Sequence, residues 1–150
     1  MLEILHEQTD VSLRQIIESI ETEEGPFSSA EREGLFAELS RNRQTQIDNL
    51  RFYRERGKFP QNTGHSESAV PIFVDDSGTH CAVGYLMHRS GHDQAVANIV
   101  ESDNYVYVSD AVEGELFEWI KTSGLTVDES ALIQPGYCLL YTSPSPRDRG

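Results

Sequence analysis

Hydrophobic positions along this chain recur mostly at helical spacing. Leu13, Ile16, Ile17 and Ile20 form one apolar face, and Asp10 or Ser12 can cap the helix that carries it, with Ser12 and Gln15 in capping-box register. Gly25-Pro26 breaks that helix. Ser28 with Glu31 opens a second capping box, and Leu35, Phe36, Leu39, Ile47, Leu50 and Tyr53 sustain the helical period to Gly57, a C′ glycine. Arg43 interrupts this stripe, so the segment reads as one long helix or as two with a break near 40–42. Residues 59–69 are polar and aperiodic, a loop of about ten residues. Residues 71–74, Pro-Ile-Phe-Val, read as a buried strand before the turn cluster Asp75-Asp76-Ser77-Gly78. Thr79 can cap a helix from His80 to about Ser90, and another starts at His92-Asp93. Residues 105–108, Tyr-Val-Tyr-Val, alternate as a second short strand. Ser109 or Asp110 can cap a helix carrying Leu116, Trp119 and Ile120, stopped by Gly124. Thr126 with Glu129 is a capping box for the last helix.

The predicted fold is therefore α+β, mostly helical, with five or six helices and a minimal two-stranded sheet. The chain divides into a helical arm, 1–57, and a compact unit, 59–137, expected to form one domain together. A length of 150 residues with 37% hydrophobic residues suits a single domain with a core.

Charge narrows the function classes. The 12 Lys and Arg face 25 Asp and Glu, a net charge of -13 that repels the phosphate backbone of nucleic acid. The asymmetry is local: residues 41–58 carry six cations against Asp48 and Glu55, whereas 59–137 carries Arg89 and Lys121 against twelve acids. Phe52, Tyr53 and Phe59 interleave with the arginines, a pattern RNA contacts also use, but the field of the whole chain opposes it. The expectation is a basic helix lying against the acidic unit or forming a solvated face. No apolar run approaches the roughly 18 to 20 residues of a membrane span. The first 25 residues, holding seven acids, do not read as a signal peptide. The expected setting is the cytoplasm, or outside the membrane if the natural chain starts earlier. The partner is an unidentified protein or small molecule; neither nucleic acid, membrane nor cofactor is called for.

Residues 138–148, Cys-Leu-Leu-Tyr-Thr-Ser-Pro-Ser-Pro-Arg-Asp, resemble the translation of a transposon-type sequencing adapter at all eleven positions. On that reading 138–150 is a non-native or disordered tail, excluded from fold reasoning, and Met1 can be an internal methionine. The stretches Phe73-Val74-Asp75-Asp76-Ser77-Gly78-Thr79-His80-Cys81-Ala82-Val83-Gly84-Tyr85-Leu86 and Gly124-Leu125-Thr126 through Ile133-Gln134-Pro135-Gly136-Tyr137 resemble an uncharacterised family of bacterial proteins. The likeness covers about 59–137 and implies no activity.

Candidate chemistry centres on Cys81. With Thr79 as cap, it lies in the first turn of a helix, where free amides and the helix dipole favour a thiolate. A thiol-dependent hydrolase or transferase would pair it with His65 or His80, oriented by Asn62 or Asp75. The favoured reading makes Cys81 a buried hydrophobe next to Ala82 and Val83, in a domain with a non-catalytic binding or structural role. A buried thiol of that kind would tolerate alanine better than serine. His65, His80, His88 and His92 are concentrated locally, but Ser90-Gly91 separates His88 from His92, so no metal site is expected. Asp75-Asp76-Ser77-Gly78 lacks the ligand spacing of a calcium loop.

Overall fold

The computed structural model describes residues 2–60, 72–111 and 113–134. Seven α-helices occupy them in order: α1 Leu2–Glu7, α2 Thr9–Glu24, α3 Ser29–Arg56, α4 Ala82–Arg89, α5 Asp93–Asp103, α6 Gly114–Ser123 and α7 Val127–Ile133, with a 3₁₀ turn at Val108–Asp110. Among the described residues none of these helices is long and apolar enough to cross a membrane.

Helix α3 organises the rest. Its 28 residues span about 42 Å at 1.5 Å per residue. It is unbroken at 40–42. The Ser28–Glu31 capping box forms with both reciprocal bonds, and Gly57 ends the helix in the left-handed conformation at φ 68°. Along one flank Leu39 packs with Leu13, Ile16 and Ile17 of α2 in a small cluster. Further along, Ile47, Leu50 and Tyr53 enter the main core beside Leu5, Phe73, Val83, Leu86, Met87, Trp119 and Ile120. Residues of the arm and of the 59–137 unit thus share one core, and the boundary near 58 does not separate two packing units.

The predicted two-stranded sheet is not formed. Among the described residues there is no β-ladder, only an isolated antiparallel bridge between Val74 and His80. The reason lies in where the backbone bonds of 73–74 go. Asn104, just past α5, accepts the Phe73 amide on its carbonyl (2.8 Å), and its side chain accepts from the Val74 amide (3.0 Å) and donates to the Val74 carbonyl (2.8 Å). One asparagine side chain mimics the strand partner that 105–108 was expected to supply. Residues 105–107 are irregular, and Val108 turns into the 3₁₀ segment. The Gln134 side chain takes up that stretch, accepting from the Val108 amide (2.8 Å) and donating to the Val106 carbonyl (3.0 Å). Among the described residues the regular structure is all helical, with seven α-helices rather than five or six.

Other local expectations shift as well. Ser12 caps nothing: it lies inside α2, and α1 precedes that helix. Neither Ser109 nor Asp110 caps α6, whose N-cap is Glu113. The Thr126–Glu129 capping box does form.

Candidate functional site

Two polar centres emerge. The first is buried. Arg43, the residue that broke the apolar stripe of α3, is 1% exposed. Its guanidinium meets Glu129 of α7 in a fork of two bonds, both 2.7 Å. The remaining donors reach the carbonyls of Gly124 (2.8 Å) and Leu5 (2.6 Å) and the Thr9 hydroxyl (3.2 Å). Ser12 donates to the other side of the carboxylate at 2.9 Å. Burial pushes the Glu129 carboxyl up; the Arg43 bonds, the Thr126 amide and the Ser12 hydroxyl outweigh it and hold the carboxyl below its ordinary 4.5. This network joins α1, α2, α3 and α7. It is enclosed, so its role is to fix packing. Of the six cations at 41–58, Arg43 is the one that docks into the acidic unit; Arg41, Arg51, Arg54, Arg56 and Lys58 face solvent.

The second centre surrounds the candidate thiol. The segment 75–79 closes on itself: the Asp75 carboxylate accepts from the Ser77 amide (2.9 Å), the Ser77 hydroxyl (2.8 Å) and the Thr79 amide (2.9 Å). That turn holds Asp75 beside its own loop. Helix α4 then starts later than expected. Its N-cap is Cys81, not Thr79; the thiol sulfur accepts from the Gly84 amide at 3.3 Å. The Cys81 amide donates to the Phe73 carbonyl at 2.7 Å. Cys81 is 0% exposed in the main core. Burial pushes its thiol up to about 12, and the pull of the Gly84 and Val83 amides falls short of cancelling that. The helix amides do favour the thiolate, but this thiol lies among apolar groups and the loss of water is the larger effect.

His80 turns the other way. Its backbone carbonyl accepts from the Tyr53 hydroxyl (2.9 Å), and its ring stacks on His88 with centroids 5.0 Å apart. His88 Nδ1 pairs with Asp93 at the start of α5. Desolvation, then the neighbouring His88, lowers the His80 pKa below its ordinary 6.5. The structure therefore gathers His80, His88 and Asp93, brings neither His80 nor Asp75 into a relay with the enclosed thiol, and leaves His65 and Asn62 outside the described residues. No three His, Cys, Asp or Glu side chains converge on a metal-sized site among the described residues.

Next to this cluster, the Arg56 guanidinium lies 5.0 Å from the Tyr53 ring centroid and 4.8 Å from that of Tyr85. Tyr53 and Tyr85 are 32 positions apart in sequence, so no spacing argument could pair them. Arg43 did leave a signal, a charge at a core-facing helical position, and Glu129 left another as the third residue of a capping box.

Comparison with protein-family models, with curated proteins and with solved structures finds no match to this chain.

Proposed function

We propose that this chain is a small acidic helical domain with a non-catalytic binding or structural role. The observation that carries the reading is the enclosure of Cys81. A thiol nucleophile needs a thiolate open to substrate and within reach of a base. The Cys81 thiol is 0% exposed, pushed up to about 12 and occupied in capping α4. The stretches that resemble an uncharacterised bacterial family put their described residues to structural use, which supports the same reading. Phe73 roofs Gly84, where an added Cβ would come within 3.2 Å of the Phe73 ring, and Gly124 and Glu129 hold Arg43. The partner in this reading is a protein or a small molecule rather than nucleic acid, on the ground of the net charge of -13.

Thiol labelling tests it. In a Cys138→Ser background Cys81 is the single cysteine. Iodoacetamide at pH 7 is expected to label the native chain about 100-fold or more slowly than the urea-unfolded chain, because labelling waits for opening of the core. Native labelling as fast as that of the unfolded chain would overturn the non-catalytic reading.

A further inference from the structure

Acids outnumber bases about two to one in this chain, yet two arginines at the α3–α4 seam have no carboxylate partner among the described residues. Arg56 lies over both the Tyr53 and Tyr85 rings, which touch each other, and donates to the Lys58 carbonyl at 3.0 Å. Arg89, at the end of α4, lies 5.9 Å from the centroid of the Phe52 ring. Both arginines are exposed, and Phe52 is 53% exposed, one of the few large apolar side chains left open to water. On α5, Asp93 is engaged by His88, and on α3, Asp48 is paired with Arg51. Contact with a ring orders the guanidinium while leaving most of its edge donors free, so less side-chain freedom is lost when a planar anion arrives. Arg89 beside the exposed Phe52 ring, with Arg56 one turn further along α3, is complementary to carboxylates spaced around an apolar group.

We propose that the Phe52–Arg56–Arg89 face is a docking surface for an acidic protein segment that carries an apolar side chain between its carboxylates. The proposal rests on the reading of the chain as a binding domain. Long polyphosphates fit the surface less well. They bring nothing to cover Phe52.

The probe is a fluorescein-labelled twelve-residue Gly/Ser peptide with two Glu on either side of one central Phe, titrated by anisotropy with the full chain at about 50 mM NaCl. Saturable binding is expected, weakening about tenfold or more when salt is raised to about 0.5 M. Arg89→Glu and Phe52→Ser are each expected to weaken it about tenfold, whereas Arg41→Glu, elsewhere on α3, changes it less than about twofold. Arg89→Gln serves in place of Arg89→Glu if the charge reversal disturbs folding, as judged by circular dichroism. Absence of wild-type binding up to about 1 mM peptide, equal binding by the Arg89 and Phe52 variants, or tighter binding of a U12 RNA than of the peptide would each overturn the proposal. Slow native labelling of Cys81 together with any of these results would remove the docking surface and leave the non-catalytic reading standing.

Discussion

Replacing Arg43 by methionine removes the guanidinium that five acceptors share. Glu129, 4% exposed, would keep a Ser12 hydroxyl and the Thr126 amide but lose its counter-charge, and the Leu5 and Gly124 carbonyls would lose their donors. Breaking a buried pair from one side costs about 3–5 kcal/mol, a large part of the roughly 5–15 kcal/mol that holds a domain folded. For a chain of this size the melting temperature should fall by about 10 °C or more. Glu129→Met should cost a similar amount, since it strands a buried arginine that cannot lose its proton and removes half of the α7 capping box. The double variant decides the matter. Without either charge the desolvation problem is gone, and the loss should fall short of the sum of the singles by about 2 kcal/mol or more. Urea melts of the four chains give the cycle. The folded state holds the Glu129 carboxyl below its ordinary 4.5, so the pair's stabilisation is complete above about pH 4.5 and disappears as pH falls through the lower, folded value. Arg43→Met should therefore flatten the acid limb of the stability curve below pH 4.5. Additivity within about 0.5 kcal/mol, or a single-variant loss under about 1 kcal/mol, would refute the view that this network locks four helices.

Gly124 ends α6 at φ +85°, where an added Cβ would meet the Leu39 carbonyl at 2.4 Å and Arg43 at 2.7 Å; Gly124→Ala should cost about 2–5 kcal/mol in a urea melt, against about 1 kcal/mol for Gly57→Ala, which has open space around it. Because the Cys81 sulfur caps α4, Cys81→Ser keeps an acceptor for the Gly84 amide while Cys81→Ala loses the cap, at about 1 kcal/mol, and leaves a small void; thermal melts should show alanine no better tolerated than serine, the reverse of what burial alone implies. The His80 ring should titrate below 6.5 when followed by NMR. Since its folded pKa is depressed, the stability tied to it is present above pH 6.5 and lost as pH drops through the folded value, and His80→Phe should remove that slope between pH 7 and 5.

What the amino-acid pattern determined by itself was local. The capping boxes at Ser28–Glu31 and Thr126–Glu129 are short-range bonds between residues three apart, so they form as soon as their helices do. The same holds for the glycine stops at Gly57 and Gly124, which need only a left-handed backbone that glycine adopts freely. The apolar periods placed most of the core of α2, α3 and α6 correctly, because a face that repeats every 3.6 residues has one way to hide. The short apolar runs were different. Residues 72–74 and 105–108 carry strand-forming side chains, but a strand exists only through its partner, and the side chains of Asn104 and Gln134 took the bonds that a ladder would have used. Tertiary structure alone decided that Arg43 is an interior residue, since the charges and carbonyls that make its burial tolerable come from Leu5, Gly124 and Glu129, up to 86 positions away. It also decided the state of Cys81. A two-residue shift of the helix start turned the thiol from a first-turn side chain into a buried cap, and for an ionisable sulfur the loss of water outweighs the pull of the helix amides.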